Sequence, residues 1–430
     1  MPASREQRPR SGAGTGAPAG GYAQPPERLV HAKGSAAHGF LEVTEDVSQL
    51  TRAGLFQPGA RTPLFARFST AGGEPGSPDT VRDPRGFAVK LYTEQGNYDL
   101  VGSNAPVFYI RDAARFGDLL HAQGRLPDTG LRSNDMLWDF WTLSPESSHL
   151  VTMLMSGRGT PRSYRHMNGY GGHTFAWLNA AGEKFWVKYH FKTEQGIENH
   201  TEAEAQRVAA EDPDAHRRDL RAAIEAGEAP EWRLQVQVMP AAEAATYRFD
   251  PFDVTKVWPH ADYPPIEVGR MVLDRNPEHF QAEVEQSGFS PSNLVPGIGL
   301  SPDAMLLGRI FSYHEPHTQR LGADYERLPI NSARGVAGDP EPGADLGWSV
   351  DAEELRRYAE ATHAEDDDFG QAGALYRDAM DGAEREELVA NVVAHAGAEV
   401  SAEVQDRVVD YWTQVDAQLG ARVAAGLAAG

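Results

Sequence analysis

Phe185-Trp186-Val187-Lys188-Tyr189 places aromatic and β-branched residues in one short run, and runs of the same kind return at Leu64-Phe65-Ala66-Arg67-Phe68, Val107-Phe108-Tyr109-Ile110 and Leu234-Gln235-Val236-Gln237-Val238. Side chains of this type suit a pleated, half-buried surface, so each run reads as a strand. Asn179-Ala180-Ala181-Gly182, just upstream of the first run, is a turn signal. Repeated between about Leu29 and Leu273, this pattern predicts antiparallel hairpins and a closed or nearly closed sheet. Polar helical stretches interrupt it, notably around 201 to 227, which makes the fold class α+β.

Outside that region the character of the chain changes. Residues 1 to 27 are mostly Gly, Ala, Pro, Ser and Arg and offer almost no apolar anchor, so they read as a flexible arm. The arm contains Gly12-Ala13-Gly14-Thr15-Gly16, but no strand precedes it and Pro18 follows, so low complexity explains it better than a nucleotide loop. Residues 28–275 form the barrel domain. From 276 to 350 Pro and Gly are frequent, with one helical window near 302 to 321, so this stretch reads as a long segment wrapped over the barrel. In the tail, 351–430, Val404, Val408, Tyr411, Val415 and Leu419 recur at spacings of three and four and predict one apolar helical stripe in a C-terminal helical domain.

The 430 residues carry a formal charge of -22 and no cysteine. A field of that sign repels nucleic acid and anionic membrane surfaces, which leaves small neutral substrates as the better expectation. Without cysteine there are no disulfides, thiolate nucleophiles, iron–sulfur clusters or cysteine-ligated haem. No apolar stretch reaches the roughly 18 residues that span a bilayer, and the N-terminus lacks a signal-peptide core, so the cytoplasm is the expected compartment.

Arg309, Tyr313, His317 and Arg320 follow one another at spacings of four, four and three, on one helical face. A phenol with a reference pKa near 10 is a poor metal ligand at neutral pH, and a guanidinium one turn away favours its phenolate. Spacing alone also admits a solvated helix face with a snorkelled tyrosine.

Further segments bear on the choice: Arg28-Leu29-Val30-His31-Ala32-Lys33-Gly34, Arg67-Phe68-Ser69-Thr70, Val81-Arg82-Asp83-Pro84-Arg85-Gly86-Phe87, Trp138-Asp139-Phe140-Trp141, Arg165-His166-Met167-Asn168-Gly169-Tyr170-Gly171, Lys256-Val257-Trp258-Pro259-His260 and Arg309-Ile310-Phe311-Ser312-Tyr313. In this order they resemble haem catalases. The likeness runs from about 27 to 330 and resumes at Asp368-Phe369-Gly370-Gln371. It implies an antiparallel eight-stranded β-barrel and disproportionation of hydrogen peroxide to water and oxygen through a ferryl intermediate, on a haem most simply of b type. It further implies Tyr313 as the iron ligand, His31 as the distal base, and Ser69 as the residue that holds the His31 ring. Arg28, Arg67 and Arg320 match positions that pair with haem propionates. Phe116 matches a residue stacked on the porphyrin and Phe108 one lining the distal pocket, while His173 and Asp303 match a polar chain that orients Arg309. More weakly, His149, Ser156, Arg158, Asn168, Lys192, Val257, Trp258 and His260 match positions that bind NADPH in small-subunit members, with Met153 in place of the usual aromatic.

The chain departs from the family pattern where a Gly-Asn-Asn-Thr-Pro run is replaced by Gly102-Ser103-Asn104-Ala105-Pro106. Either Ser103 takes the position of the distal asparagine or Asn104 does so after a shift of one residue. A peroxidase or a specialised hydroperoxide-converting enzyme on the same fold is the alternative activity that this departure raises. Pro316 falls inside the proposed helix and predicts a kink. The resemblance implies a homo-oligomer, a tetramer in the family, although the replaced lead-in and shortened connection bear on that assembly.

Overall fold

The computed structural model describes residues 27–333, 352–359, 361 and 363–429. The expectations for the arm before residue 27 and for the wrapping segment at 334–350 lie outside the described residues.

Ten strands form one sheet: β1 (Gly34–Val43), β2 (Arg61–Thr70), β3 (Arg85–Thr93), β4 (Gly96–Ser103), β5 (Gly169–Tyr170), β6 (Phe175–Leu178), β7 (Lys184–Thr193), β8 (Glu231–Pro240), β9 (Ile266–Arg275) and β10 (Ile298–Gly299). The order β7-β5-β4-β3-β2-β1-β9-β8 closes on itself because β8 also pairs with β7, and every pairing is antiparallel. This is the eight-stranded barrel, with β6 and β10 attached to the same edge of β7 as β5. Closure gives each barrel strand a neighbour on both sides, the β4–β5 seam resting on the single pair Ser103 and Tyr170. The Asn179 turn joins β6 to β7: Asn179 Oδ1 accepts from the Ala181 and Glu183 amides at 3.0 and 2.9 Å, and Gly182 takes φ 82. A residue with a Cβ is strained at that φ.

Period-two alternation divides each strand between two faces. Leu64, Ala66 and Phe68 of β2, Phe87, Val89 and Leu91 of β3, and Tyr98 and Leu100 of β4 fill the barrel interior with Trp177, Tyr189 and Trp232. Their neighbours point outward: Phe65, Arg67 and Ser69, then Gly86 and Ala88, then Val101 and Ser103. Along β2 to β4 that outer face is mostly small residues, and the wrapping segment crosses it. Asp99 there accepts from the Ser290 amide at 2.9 Å and from Asn293 Nδ2 at 2.8 Å, besides its buried ion pair with Lys90.

Among the described residues twelve α-helices accompany the barrel: α1 (Phe116–Gln123), α2 (Asn134–Thr142), α3 (Ser148–Met155), α4 (Glu202–Glu211), α5 (Ala215–Glu225), α6 (Ala304–Ser312), α7 (His314–Leu321), α8 (Ala352–Ala359), α9 (Gly370–Ala374), α10 (Gly382–Gly397), α11 (Ala402–Val415) and α12 (Ala417–Ala429). In space the C-terminal helices share one core with α1 to α3, in which Trp138 and Trp141 meet Leu388, Val392, Trp412 and Leu419. Trp138 Nε1 donates to His395 Nδ1 at 2.9 Å, tying α2 to α10.

Three local expectations are corrected. Val107-Phe108-Tyr109-Ile110 is not a strand. The β4 ladder stops at Asn104, whose side-chain oxygen takes the Arg85 amide at 2.8 Å, and Pro106 has no amide to offer. The run sinks into the helical core instead. The stripe from Val404 to Leu419 lies on two helices, because extended Asp416 ends α11 and its carboxylate caps α12 by accepting from Gln418 and Leu419 amides. The helical window near 302 to 321 is likewise two helices, divided at Tyr313.

Candidate functional site

Asp303 starts the site. As the N-cap of α6 it accepts the Leu306 amide on Oδ1 at 2.9 Å, and its other oxygen lies 2.6 Å from His173 Nδ1. His173 Nε2 is 2.7 Å from Nη1 of Arg309, and Nη2 of Arg309 donates to the phenolic oxygen of Tyr313 and to the Val101 carbonyl. A guanidinium has only donors, so His173 Nε2 must accept and the ring proton sits on Nδ1, facing Asp303. The tautomer is therefore set by its neighbours. Burial lowers the His173 pKa, the Asp303 charge opposing it, which suits a neutral ring.

Tyr313 occupies the junction of two helices, with φ -94 and ψ -37. Pro316 is the third residue of α7 and has no N–H for the Ser312 carbonyl, so the backbone ladder fails one residue before the tyrosine. The predicted kink is real and falls at Tyr313 itself. Arg309 nevertheless stays one turn below, its guanidinium carbon 5.3 Å from the Tyr313 ring centre. His317 turns to the Phe289 carbonyl, at 2.8 Å, and Arg320 to the carbonyls of Glu285 and Ser287.

On the outer face of β2 and β3, His31 Nδ1 lies 2.9 Å from Ser69 Oγ. His31 has φ 60, a left-handed conformation that costs a side-chain-bearing residue of order 1–3 kcal/mol. Its amide donates to the Ala71 carbonyl at 2.9 Å, which helps hold it there. Gly86 pairs with Ser69 on one side and Ser103 on the other. A Cβ on Gly86 would come within 2.4 Å of Ser69 Oγ and 2.8 Å of His31 Nδ1, so the glycine leaves room for the ring. Burial first, then the charges of Arg67, Arg309 and Arg28, push the His31 pKa down to about 3. The imidazole is neutral and can accept a proton.

Ser103 stands on this face. Its hydroxyl accepts from the Ala105 amide at 3.1 Å. Asn104 is committed elsewhere: its oxygen takes the Arg85 amide and its nitrogen donates to the Arg158 carbonyl at 3.1 Å. Both ends of the Asn104 carboxamide thus satisfy backbone groups, whereas the Ser103 hydroxyl has only the Ala105 amide as a partner among the described residues.

Three guanidiniums gather nearby. Arg28 donates to the Glu285 carboxylate at 3.0 Å and to three carbonyls of 284–287, Arg320 shares two of those carbonyls, and Arg67 reaches only the Ala32 carbonyl, at 3.2 Å. Burial pushes the pKa of Arg67 down, and Arg28 adds to that; Glu285 is the carboxylate that opposes both. Arg67 Nε is buried and has no hydrogen-bond partner among the described residues. Three cations against one carboxylate leave an excess of about two positive charges in a low-dielectric place, which calls for a dianionic ligand. Phe108 and Phe116 are half-buried against the helical core. A dicarboxylate with a metal-binding centre, and hence haem, fits this donor set.

The residues matched to NADPH divide into two groups. Asn168 Nδ2 and Lys192 Nζ donate to the Tyr170 hydroxyl at 3.2 and 3.4 Å, and Asn168, Tyr170 and Arg158 line a cleft of ≈ 280 Å³. Ser156, Val257 and Trp258 are bonded internally, to the Met153 carbonyl, Gln371 and the Pro251 carbonyl. His149 is buried, and His260 lies 6.0 Å from the ring of His190.

Sequence reasoning did not single out Glu285 or Ser287, the partners of Arg28 and Arg320. They lie about 257 positions from Arg28, at and just beyond the end of the π-helical turn Gln281–Glu285, and no local pattern marks them.

Barrel, backed phenol, neutral imidazole and uncompensated arginines together define a haem-holding oxidoreductase. The catalase family model matches residues 23–348, and the model described as catalase-related immune-responsive matches 362–427. A bromoperoxidase-catalase from Streptomyces venezuelae is 53% identical over 397 residues, covering 85% of this chain and 82% of its own. A catalase from Methanosarcina barkeri is 51% identical over 86% of this chain and 79% of its own. Among solved structures, a bacterial catalase superposes with TM-score 0.89 at 46% identity, covering 94% of this chain and 87% of its own, and catalase A from Saccharomyces cerevisiae with TM-score 0.86 at 38% identity, covering 94% and 90%. This chain belongs to the catalase family, haem-dependent oxidoreductases that decompose hydrogen peroxide.

Proposed function

We propose that this chain disproportionates hydrogen peroxide to water and oxygen at a b-type haem held between Tyr313 and His31. The observation that carries this reading is the unbroken chain from Asp303 through His173 and Arg309 to the Tyr313 oxygen. When bound, haem supplies the iron whose oxidation state changes. Tyr313 would be its ligand, with Arg309 donating a hydrogen bond to the phenolic oxygen from behind. Arg28, Arg67 and Arg320 bind the propionates. His31 takes a proton from one peroxide oxygen and returns it to the other, and Ser69 keeps the ring turned for both transfers. Ser103 donates a hydrogen bond to peroxide, directly or through a water. Oxygen evolution from peroxide by the haem-loaded protein tests the proposal; absence of oxygen with full haem content would reject it.

A second reading, oxidation of an organic donor or halide, is favoured by Ser103 at the position of the family's distal asparagine and by the name of the Streptomyces venezuelae relative. The same preparation assayed with an organic donor discriminates between the two.

Three finer points belong to the same proposal. NADPH binds near Tyr170, where Arg158 and Lys192 carry the charge for a 2′-phosphate; titration of the holoenzyme with NADPH and NADH, with tighter binding of NADPH, checks this. The chain is a homo-oligomer, for which exposed Leu29 and Phe311, 79% and 80% accessible, supply apolar surface. Light scattering checks the mass. The compartment is the cytoplasm, which fractionation of the cells checks; among the described residues no helix is long and apolar enough to cross a membrane.

A further inference from the structure

Lys188 of β7 is a buried cation with no role in the chemistry above. Its side chain is almost wholly buried, and Nζ donates to the Gly172 carbonyl at 3.1 Å. That carbonyl belongs to the residue before His173, in a turn where Gly172 takes φ 73 and the His173 amide bonds back to the Gly171 carbonyl at 2.9 Å. The ammonium also lies 5.5 Å from the centre of the Trp258 ring. The carboxylates whose charges reach it are Asp303, Asp253 and Asp250. Asp253 is already paired with Lys256 and Arg111. Asp303 is the one that also faces His173.

Around His173 the groups are therefore Asp303 at Nδ1, Arg309 at Nε2, and Lys188 through the turn. The lone pair on Nε2 is what Arg309 leans on. A protonated His173 would turn that acceptor into a donor and repel the guanidinium, and Arg309 would lose its hold on Tyr313. We propose that Lys188 is a positioning residue of the haem site, holding the Gly172 turn and presenting its positive charge to the Asp303–His173 pair so that Arg309 stays on the Tyr313 oxygen. Burial lowers the Lys188 pKa to about 8 against the opposing charges of Asp303, Asp253 and Asp250, so the ammonium is the predominant form at pH 7. This inference rests on the assignment of Tyr313 as haem ligand.

Lys188→Gln keeps a donor for the Gly172 carbonyl and removes the charge, while Lys188→Arg keeps the charge. The readout is the absorption spectrum of each holoenzyme titrated from pH 7 to pH 4, with resonance Raman bands of the iron-bound phenolate as a second signal. Lys188→Gln should move the acid spectral transition up by about one pH unit, and Lys188→Arg should stay close to the parent protein. An unmoved transition in Lys188→Gln overturns the inference. So does equal displacement, or equal loss of haem, in both variants, because packing rather than charge would then be responsible. Tyr313→Phe serves as the control: if it binds haem with an unchanged spectrum, the ligand assignment fails and not merely the role of Lys188.

Discussion

Nη2 of Arg309 donates to the phenolic oxygen of Tyr313 at the point where α6 gives way to α7. The contact survives the helix break because Arg309 is also anchored to His173 and to the Val101 carbonyl of β4. One guanidinium thereby links the wrapping segment to the barrel wall and to the phenol.

Arg309→Met removes that hydrogen bond, and haem should bind more weakly by about 1.5–3 kcal/mol, the worth of a charged hydrogen bond. Haem titration of the apoprotein checks it; unchanged affinity would mean the guanidinium has no hold on the phenolate.

Arg67→Met separates folding from binding. Among three like charges with one carboxylate, Arg67 is a cost to the apoprotein, and an apolar replacement should raise apoprotein stability by about 1 kcal/mol or leave it level. Haem affinity should fall at the same time. A destabilised apoprotein with intact haem affinity would contradict the reading of the arginine group as a propionate site.

Much of this site was legible because its parts lie in compact motifs, and less legible wherever long-range packing decides. The runs at 64–68, 185–189 and 234–238 became β2, β7 and β8, since alternation and aromatic content point the same way there. Val107–Ile110 has equal apolar content, but Asn104 and Pro106 end the ladder just before it. Periodicity read through Tyr313 and through Asp416 without registering the breaks, because a helix pattern persists across a junction that a missing amide or a capping carboxylate creates. The choice between Ser103 and Asn104 could not be made from residue types. It depends on Arg85 and Arg158, which the fold brings to Asn104 from other parts of the chain.

Asn104→Ala should therefore destabilise the fold by about 2–4 kcal/mol, leaving a buried amide and a carbonyl unsatisfied. Ser103→Asn should raise oxygen evolution about two- to tenfold, the range of one added hydrogen bond to the reacting peroxide. Denaturant melts read the first variant and oxygen-electrode rates the second. A silent Asn104→Ala together with no gain in Ser103→Asn would reverse the assignment of the two positions.

Acid should unfold the protein through its buried histidines. Burial lowers the pKa of His149, His317 and His395 to about 4 and that of His190 to about 3, against 6.5 in an exposed ring. The unfolded chain then binds more protons than the folded one between these values, so stability is complete above pH 6.5 and is lost as pH falls toward 4. Urea midpoints measured from pH 7.5 to pH 4.5 should fall continuously, and His395→Gln should flatten the slope. A flat profile would contradict the burial of these rings.

His31→Ala should leave haem content unchanged while oxygen evolution drops about 10²- to 10⁴-fold, the range for loss of a positioned general base. Ser69→Ala, which frees the ring without removing it, should cost about two- to tenfold. Turnover near the parent rate in His31→Ala would take the imidazole out of the mechanism.

The most direct measurement is haem stoichiometry and spectrum of Tyr313→Phe, loaded with haem beside the parent chain and desalted. The account predicts that the parent keeps one haem per chain with a phenolate-ligated spectrum and that the variant loses the haem or holds it with a changed spectrum. Equal haem content and an identical spectrum in Tyr313→Phe would contradict it.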